Sequence, residues 1–257
     1  MRECVFCGGK KLSKEHVWSS CLLEKRRGNK KYSSSAVPDK FIGPNALQIR
    51  DVCEKCNSNN LSELDGYFCQ LYDDYIKNII HEGDQISFNY NYSLLSRWLL
   101  KTLYNNARAG KAELKFINLL SQYNDYILNE QSGSPEFLLF LQLIIPYSND
   151  GAEIPPTFMT AGPIQIPMFD ARNAFLFVIC IDSYRFIFAI PQNGSRLDTN
   201  EIINKITQLP ATNGATLLTN SEKAKLIKAS DVNALYAVGP ALMPDLGKWI
   251  ELINSKK

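Results

Sequence analysis

Four cysteines in two Cys-x-x-Cys pairs are suited by type and spacing to binding a metal ion. Cys4 and Cys7 form the first pair, Cys53 and Cys56 form the second, and 45 residues separate the pairs. Two such pairs supply the ligands of a closed tetrahedral zinc site, because each presents two thiolates on one tight turn. The glycines 8–9 give the first turn conformational freedom. We therefore predict structural zinc, while unrelated cysteines and a redox dithiol, which needs one pair only, stay open as alternatives.

The three other cysteines lie among apolar residues. They are Cys21, Cys69 and Cys180. The total of seven cysteines is odd, and the chain begins without an apolar signal segment, so the sequence argues against a disulfide framework. Buried cysteine behaves as a small apolar residue. We therefore predict that all three are buried, unreactive thiols.

The sequence contains two histidines, His16 and His81. His16 follows Glu15 directly, lies nine residues after Cys7 and precedes a group of basic residues. His81 follows a long amphipathic segment, where it is favourable at the negative end of a helix dipole. We predict a structural role for His81. A chemical role is expected for His16, because only His16 has a carboxylate neighbour within the frame of the cysteine pairs.

Basic residues are concentrated near the amino terminus. Residues 1–57 hold 12 Lys and Arg against 6 Asp and Glu, a net charge of +6, whereas residues 58–257 hold 16 against 20, a net charge of −4. The densest group consists of Lys25, Arg26, Arg27, Lys30 and Lys31. Such a group can hold nucleic-acid phosphates, and its alternative is a solvated basic loop. We predict that it contacts nucleic-acid phosphates without reading bases.

Hydrophobic periodicity predicts the elements that must position these residues. Alternation predicts strands over 46–52 and 85–92, and apolar spacings of three and four predict a helix over 61–79. The remaining predicted helices cover 18–25, 94–108, 114–128, 200–209 and 246–254, and the remaining strands cover 137–145, 174–181 and 185–190. The last two strands predict a hairpin. This pattern indicates an α+β protein in which a compact, zinc-stapled amino-terminal unit precedes a larger domain with helices and an antiparallel sheet.

The composition indicates a folded protein without a membrane span. The 257 residues suffice for one large domain, or for a small one joined to a medium one. Hydrophobic residues make up 45% and charged residues 21%, which excludes general disorder. The apolar stretch over 137–146 has about half of the roughly 20 residues that a spanning helix needs. Because no signal segment is visible, we expect a cytoplasmic protein.

Three segments together resemble the HNH endonucleases, and more narrowly the branch with two Cys-x-x-Cys knuckles and a late aspartate. They are Cys4-Val-Phe-Cys-Gly8, Ser13-Lys-Glu-His-Val17 and, over 52–65, Val-Cys-Glu-Lys-Cys-Asn-Ser-Asn-Asn-Leu-Ser-Glu-Leu-Asp. The resemblance covers about residues 1–68 and implies a ββα-metal finger, in which two strands and a helix surround one catalytic divalent cation. Residues 69–257 are expected to form an α+β domain with a regulatory, partner-binding or substrate-selecting role.

The resemblance assigns a role to each of four residues. His16 matches the general base that activates water for attack on a phosphodiester, a task that suits a neutral imidazole at about pH 7. Glu15, Asn57 and Asp65 match ligands of the catalytic cation, and their oxygen atoms favour Mg²⁺ or Mn²⁺. Asn45 is the nearest candidate for the asparagine that orients the base in relatives. Apart from the resemblance, Asn57 also fits a helix cap and Asp65 a solvated helix residue.

Two functions from different classes follow. The first is a metal-dependent HNH-type DNA endonuclease with structural zinc and catalytic Mg or Mn, and the resemblance suggests a role in bacterial anti-phage defence. The second is a non-catalytic zinc module that binds nucleic acid or protein, and a thiol redox protein is a third. The Glu15-His16 pair favours the nuclease, because a binding knuckle does not need it. A nuclease without sequence preference would damage its own cell, so we expect restraint by a regulatory protein partner or by residues 69–257.

Overall fold

The computed structural model describes most of the chain. The described residues are 3–27, 48–133, 135–149, 152–154, 156, 159–164, 173–192 and 195–233. They form an α+β protein, as predicted, in which helices precede most of the sheet. The basic residues Lys30 and Lys31, the candidate Asn45 and the predicted helix over 246–254 lie outside the described residues.

The amino-terminal part is built on a two-stranded antiparallel hairpin. Strand β1 (Leu12–His16) pairs with β2 (Gln48–Cys53), so that Leu12 lies opposite Cys53 and His16 lies opposite Gln48. An irregularity between Ser13 and Glu15 interrupts the register. Helix α1 (Ser20–Arg27) follows β1. This pairing brings the two ends of a long sequence interval together and confirms the strand predicted before the second cysteine pair.

A helical segment follows the second cysteine pair and agrees with the predicted apolar spacing. It begins with wider, π-helical turns over Cys56–Leu61, continues as α2 (Ser62–Leu71) and ends in further π-helical turns over Tyr72–Ile76. Its apolar face is fully buried, with Leu64 and Phe68 at no exposure. Burial of this face fixes the direction in which the opposite, polar residues point.

The longest helix is α3 (Tyr92–Ala109), which follows strand β3 (Gln85–Asn89). The side chain of Asn91 caps α3 by accepting a hydrogen bond from the backbone N–H of Leu94 at 3.1 Å. The single helix predicted over 114–128 is instead two helices, α4 (Leu114–Ser121) and α5 (Asn124–Leu128). The chain breaks between them where Tyr123 leaves the helical conformation and its hydroxyl donates to the carbonyl of Glu136 at 3.1 Å.

A seven-stranded sheet forms most of the second half of the chain. Its remaining strands are β4 (Leu138–Ile145), β7 (Met159–Ile164), β8 (Ala174–Ile181), β9 (Tyr184–Pro191), β10 (Thr216–Leu218) and β11 (Ala224–Asn233), while β5 (Tyr147–Asn149) and β6 (Ala152–Ile154) form a separate pair. Their order is β3-β11-β4-β9-β8-β7, with β10 also paired to β4. The predicted hairpin is confirmed between β8 and β9, where Asp182 has a φ of 52°.

The sheet is mixed, although the sequence predicts an antiparallel one. Strand β11 pairs in parallel with β4, whereas β10 pairs with the same strand in the antiparallel direction. The short turn between β10 and β11 reverses the chain, so the two strands must meet β4 in opposite directions. The pattern of apolar residues that predicts a strand does not carry this direction.

The core of the protein crosses the predicted boundary at residue 68. One hydrophobic cluster extends from Cys4 to Ile227 and includes residues of α2, α3 and one face of the sheet. A second cluster lies between the other face of the sheet and α6 (Thr199–Gln208). The division into residues 1–68 and 69–257 stays a prediction. Within the described segments, no helix combines the length and the apolar character that a membrane span requires.

Candidate functional site

The two cysteine pairs come together in one cluster. The sulfur atoms of Cys4, Cys7, Cys53 and Cys56 all lie within 4.8 Å of one another. Three of these cysteines are buried and Cys7 is exposed. This is the ligand set of a closed tetrahedral zinc site, so the cluster can hold a metal such as zinc, as the sequence predicts.

Backbone hydrogen bonds around the first cysteine pair form the turn that carries two of the thiols. The N–H of Cys4 donates to the carbonyl of Gly9 at 2.7 Å, and the N–H of Gly8 donates to the carbonyl of Cys4 at 2.8 Å. Gly8 has a φ of 72°, a conformation that glycine adopts without strain. A Cβ atom at Gly9 would lie 3.3 Å from the sulfur atoms of both Cys7 and Cys53. The two glycines therefore have separate roles, one in the turn and one beside the sulfur atoms.

The environment of the cluster favours a thiolate at Cys53. Burial raises the pKa of this thiol, but the backbone N–H of Cys56 and the neighbouring thiols lower it by more, to about 7, whereas burial raises the pKa of the Cys56 thiol well above its ordinary value. A thiol must lose its proton to bind zinc. The cluster therefore fits zinc in number, proximity and chemistry.

The other cysteines depart from the prediction in one respect. Cys21 of α1 and Cys69 of α2 form a disulfide across 48 residues, whereas the sequence predicts two unreactive thiols. Sequence spacing does not show that these helices pack side by side, which brings the two Cα atoms to 6.3 Å. Cys180 is a free, fully buried cysteine, as predicted, and burial raises the pKa of its thiol to about 11.

His16 lies at the end of the hairpin away from the cysteine cluster. Its half-buried ring has Nε2 2.8 Å from Nε2 of Gln48, the residue opposite it on β2. In the tautomer in which this ring nitrogen accepts, the Gln48 amide donates to it. An imidazole in that tautomer can act as a general base.

Glu15 is buried beneath α3 and forms an ion pair. Only 2% of the residue is exposed, and Oε1 lies 2.7 Å from the ammonium nitrogen of Lys101. Burial raises the pKa of the Glu15 carboxyl above its ordinary value of 4.5, although the Lys101 charge opposes this. For Lys101, burial lowers the pKa, but the carboxylates of Asp65 and Glu15 outweigh it and raise the pKa above 10.5. Lys101 therefore keeps its charge in the interior because it has acidic partners.

Asp65 binds the same ammonium group from the opposite side. Its Oδ1 atom lies 2.7 Å from Nζ of Lys101 and also accepts hydrogen bonds from the indole of Trp98 at 3.0 Å and from the hydroxyl of Ser19. The side chain of Asp65 is 22% exposed, so the alternative of a solvated helix residue does not describe it. The structure thus brings Glu15 and Asp65 together, with a lysine between them.

One polar face of α3 holds the amino-terminal hairpin in place. Beyond Lys101, the amide of Asn105 donates to Glu15 Oε1 at 3.3 Å and to the carbonyl of His16 at 3.4 Å. Arg108 forms two hydrogen bonds with the carboxylate of Asp51 on β2, at 3.1 and 3.3 Å. Helix α3 therefore contacts Glu15, the backbone of His16 and strand β2.

Asn57 contacts a different part of the hairpin. Its amide donates to the hydroxyl of Ser13 at 3.0 Å and to the carbonyl of Lys14 at 2.9 Å. The helical segment begins without a side-chain cap, so the alternative of a cap for Asn57 is not observed. Asn57 therefore ties the start of the helical segment to β1.

The expected site for Mg²⁺ or Mn²⁺ is not assembled in this arrangement. The Lys101 ammonium lies between Glu15 and Asp65, and the amide of Asn57 is directed to β1. Among the described residues, the only group of at least three His, Cys, Asp or Glu side chains placed to hold a metal ion is the cysteine cluster. The donor set of the three residues thus does not fit a divalent cation here.

The predicted phosphate-binding group is partly engaged in ion pairs. Lys25 pairs with Asp73 of the π-helical segment, and Arg26 pairs with Asp182 in the β8–β9 turn. The Arg26 and Asp182 side chains are only 10% and 12% exposed. Arg27 ends α1, and its side chain is not among those described. The acidic partners are distant in sequence, so the local charge pattern could not show them.

His81 lies outside this region. Its ring is 55% exposed and pairs with Glu153 at 3.3 Å, and its backbone N–H donates to the Asp84 carboxylate at 2.8 Å. The helical segment ends at Ile76, so His81 lies in the connection to β3 and not in the last helical turn, where the sequence places it. The structural role of His81 stays a prediction.

Sequence reasoning missed the residues that contact the predicted site directly, and Gln48 and Lys101 are the two that bear most on its chemistry. A signal for Lys101 exists, because Trp98, Lys101, Asn105 and Arg108 follow one another at spacings of three, four and three. Polar residues at this spacing share one helix face, and a lysine there requires a buried partner. Gln48 belongs to a predicted strand, but its register against His16 was not predictable.

Comparisons of the chain with protein-family models, with curated proteins and with solved structures found no match. The function is therefore inferred from the residues of this chain and their arrangement.

Proposed function

We propose that this chain is an HNH-type endonuclease that hydrolyses phosphodiester bonds in DNA, with His16 as the general base. The observation that carries the proposal is the half-buried imidazole of His16 at one end of a hairpin whose other end holds four clustered cysteines. Helix α2 follows the second strand of the hairpin, and this pair of strands followed by a helix supports the ββα finger that the resemblance implies, although α1 lies between the two strands in the chain.

The hydrogen bond at His16 indicates where the attacking water would bind. The amide nitrogen of Gln48 lies 2.8 Å from Nε2 of His16, which is the distance expected for a bound water. In the reaction, water replaces this amide and gives a proton to His16, and its oxygen forms a bond to phosphorus. The bond from phosphorus to the 3′ oxygen breaks, and that oxygen takes a proton from solvent. His16 then releases its proton to solvent.

Exposed cations next to His16 support binding of a phosphate. Lys14 and Arg50 are both exposed and lie at the irregularity of the hairpin, between the pairs Ser13–Val52 and Glu15–Ile49. Each is two residues from the His16–Gln48 pair along its own strand. Cations here would neutralise phosphate charge without reading bases. We therefore extend the proposed DNA contact from the group at residues 25–31 to this part of the hairpin.

A second candidate function is a non-catalytic zinc module that binds nucleic acid or protein. The observation that favours it is the ion pair of Glu15 with Lys101, since this pair gives Glu15 a structural reason to be present. The module would keep the cysteine cluster and the exposed cations but would not cut DNA.

Conversion of supercoiled plasmid tests the two candidates. Zinc-loaded protein is incubated with plasmid in parallel with Mg²⁺, with Mn²⁺ and with neither ion, and binding to a short duplex is measured on the same sample. The nuclease predicts nicked and linear products in at least one condition. Binding without conversion in every condition would reject the nuclease in favour of the module.

Residues 69–257 would restrain or direct cutting in this proposal. A nuclease without sequence preference needs restraint, and a role in anti-phage defence would supply a trigger through a protein partner. Cutting by the purified chain that a second component accelerates would support this arrangement, whereas the same cutting rate with and without that component would reject it.

A further inference from the structure

Lys101 lies where the resemblance to HNH endonucleases implies a divalent cation. Its ammonium nitrogen is 2.7 Å from Oε1 of Glu15 and 2.7 Å from Oδ1 of Asp65. Two carboxylate oxygens around one small cation would be typical of a Mg²⁺ or Mn²⁺ site. In this chain the positive charge next to both oxygens is the ammonium group of Lys101.

The two carboxylate oxygens are buried and already accept hydrogen bonds from neighbouring side chains. Lys101 has no exposed surface, and the side chain of Glu15 is 3% exposed. Oδ1 of Asp65 accepts from Trp98 and Ser19 as well as from Lys101, so three donors already fill this oxygen. Asn105 donates to Oε1 of Glu15. Each of these donors would have to leave before the same oxygens could bind a metal ion.

A divalent cation at this position would also meet a buried positive charge. Like charges separated by a few ångströms in a poorly solvated interior repel strongly. Mg²⁺ requires nearly octahedral oxygen coordination and retains several waters, whereas the donors that surround these carboxylates are N–H and O–H groups. Neither the charge nor the surrounding donors therefore favour a metal ion.

We propose that Lys101 replaces the divalent cation of the HNH site and that this chain hydrolyses DNA with no metal ion beyond its zinc. The inference rests on the proposed nuclease function. Lys101 is a positioning residue, because it is buried and reaches the reaction through its neighbours. It holds Glu15, and Asn105, one turn further along α3, holds the carbonyl of His16. Together they fix the end of β1 that carries the general base.

The wild-type protein provides the first test. Binding of Mn²⁺ to zinc-loaded protein is followed by the loss of the free-ion electron paramagnetic resonance signal, and plasmid cutting is measured in metal-depleted buffer with and without Mn²⁺. The inference predicts no Mn²⁺ bound at Glu15 and equal cutting rates. Elemental analysis before and after each reaction verifies that zinc is retained.

Two outcomes separate this inference from the proposed function. If the chain cuts only with Mn²⁺, and Glu15→Gln abolishes Mn²⁺ binding, the inference is overturned and the nuclease stands. If the chain cuts under no condition, the nuclease fails. The Mn²⁺ titration then still decides whether Lys101 occupies the cation position, because bound Mn²⁺ that Glu15→Gln removes would contradict it.

The variant Lys101→Ala provides a gain-of-binding test. Alanine removes both the charge and the long side chain between the two carboxylates, so Glu15 and Asp65 lose their counter-ion and become available to a divalent cation. The variant should bind Mn²⁺, and its cutting should become dependent on Mn²⁺, a change that general destabilisation would not produce. Adding Glu15→Gln should remove the binding again, and Lys205→Ala, in the partly exposed pair with Glu201, should bind no Mn²⁺. A folded Lys101→Ala that binds no Mn²⁺ would contradict the inference, and if it does not fold the wild-type test decides.

Discussion

Replacing Lys101 by methionine should destabilise the protein in a way that depends on pH. The substitution retains most of the side-chain volume and removes the charge that lies 2.7 Å from Glu15 and from Asp65. Glu15 is 2% exposed, so it would be left as a buried charge without a partner. Removing one member of a buried ion pair costs about 3–5 kcal/mol. Asp65 contributes less, because its side chain is 22% exposed and keeps two other donors.

The expected loss of unfolding free energy at each pH follows from the cost of protonating Glu15. Its folded-state pKa is already raised above 4.5, so the folded form binds more protons than the unfolded form and its stability falls as pH rises above this value. Loss of Lys101 raises the folded pKa further. Without Lys101, Glu15 can avoid a buried charge by taking up a proton, which costs about 1.4 kcal/mol for each pH unit above 4.5. This cost is an upper limit to the destabilisation that Glu15 causes. The limit is about 5 kcal/mol at pH 8 and about 2 kcal/mol at pH 6. The destabilisation should therefore be about 3–5 kcal/mol at pH 8 and at most about half of that at pH 6.

Urea unfolding at the two pH values measures this difference, with tryptophan fluorescence as the probe because Trp98 lies beside Asp65. Lys205→Met provides a matched control, since its exposed ion pair with Glu201 should contribute about 0.5 kcal/mol or less. Adding Glu15→Gln to Lys101→Met should remove the pH dependence. A loss that is the same at both pH values, or no larger than that of the control, would show that Lys101 does not neutralise Glu15.

Three further outcomes are expected from other parts of the structure. Cys53→Ser should lower the zinc content below one ion per chain by elemental analysis, whereas Cys180→Ser should not, because its thiol lies outside the cluster; equal zinc in both would reject the site. Cys21→Ser should lower the unfolding free energy by up to about 4 kcal/mol in non-reducing buffer, because the disulfide closes a long loop in the unfolded chain. With a reductant present the loss should be much smaller, and equal losses in the two buffers would show that the bond does not form. Lys14→Ala with Arg50→Ala should weaken DNA binding for all sequences and reduce the salt slope by about 0.9 log units per lost phosphate contact, and an unchanged slope would place the DNA elsewhere.

The parts of the fold that were predicted from the sequence depend on neighbouring residues. The two cysteine pairs carry their own turns, with Gly8 at a positive φ directly after the first. Alternation located β2 and β3 to within a few residues, and apolar spacing located α2 and α3. In these segments the residues that determine the structure are also the residues that display the pattern, so a window of about ten residues contains the information.

The parts that were not predicted depend on residues that meet only after folding. The partners of Lys101 lie 86 and 36 residues earlier in the chain, at Glu15 and Asp65, and no local pattern relates them. The acidic partner of Arg26 lies in a turn between two strands of the sheet. The parallel direction of β11 and the Cys21–Cys69 disulfide also arise from how elements pack. Only for Lys101 did the sequence indicate a distant partner, since a lysine on the buried face of a helix requires an acidic neighbour.

Single-turnover plasmid cutting by His16→Ala, compared with the parent chain and with His81→Ala, tests the proposed role of His16 most directly. The loss of a positioned general base should lower the cutting rate by about 10²–10⁴-fold. Zinc content should not change, because the four cysteine ligands do not include His16. His81→Ala should cut at nearly the parent rate, since this side chain is exposed and pairs only with Glu153 among its described partners. If His16→Ala cuts as fast as the parent, or if it loses its zinc, His16 is not the general base of a nuclease.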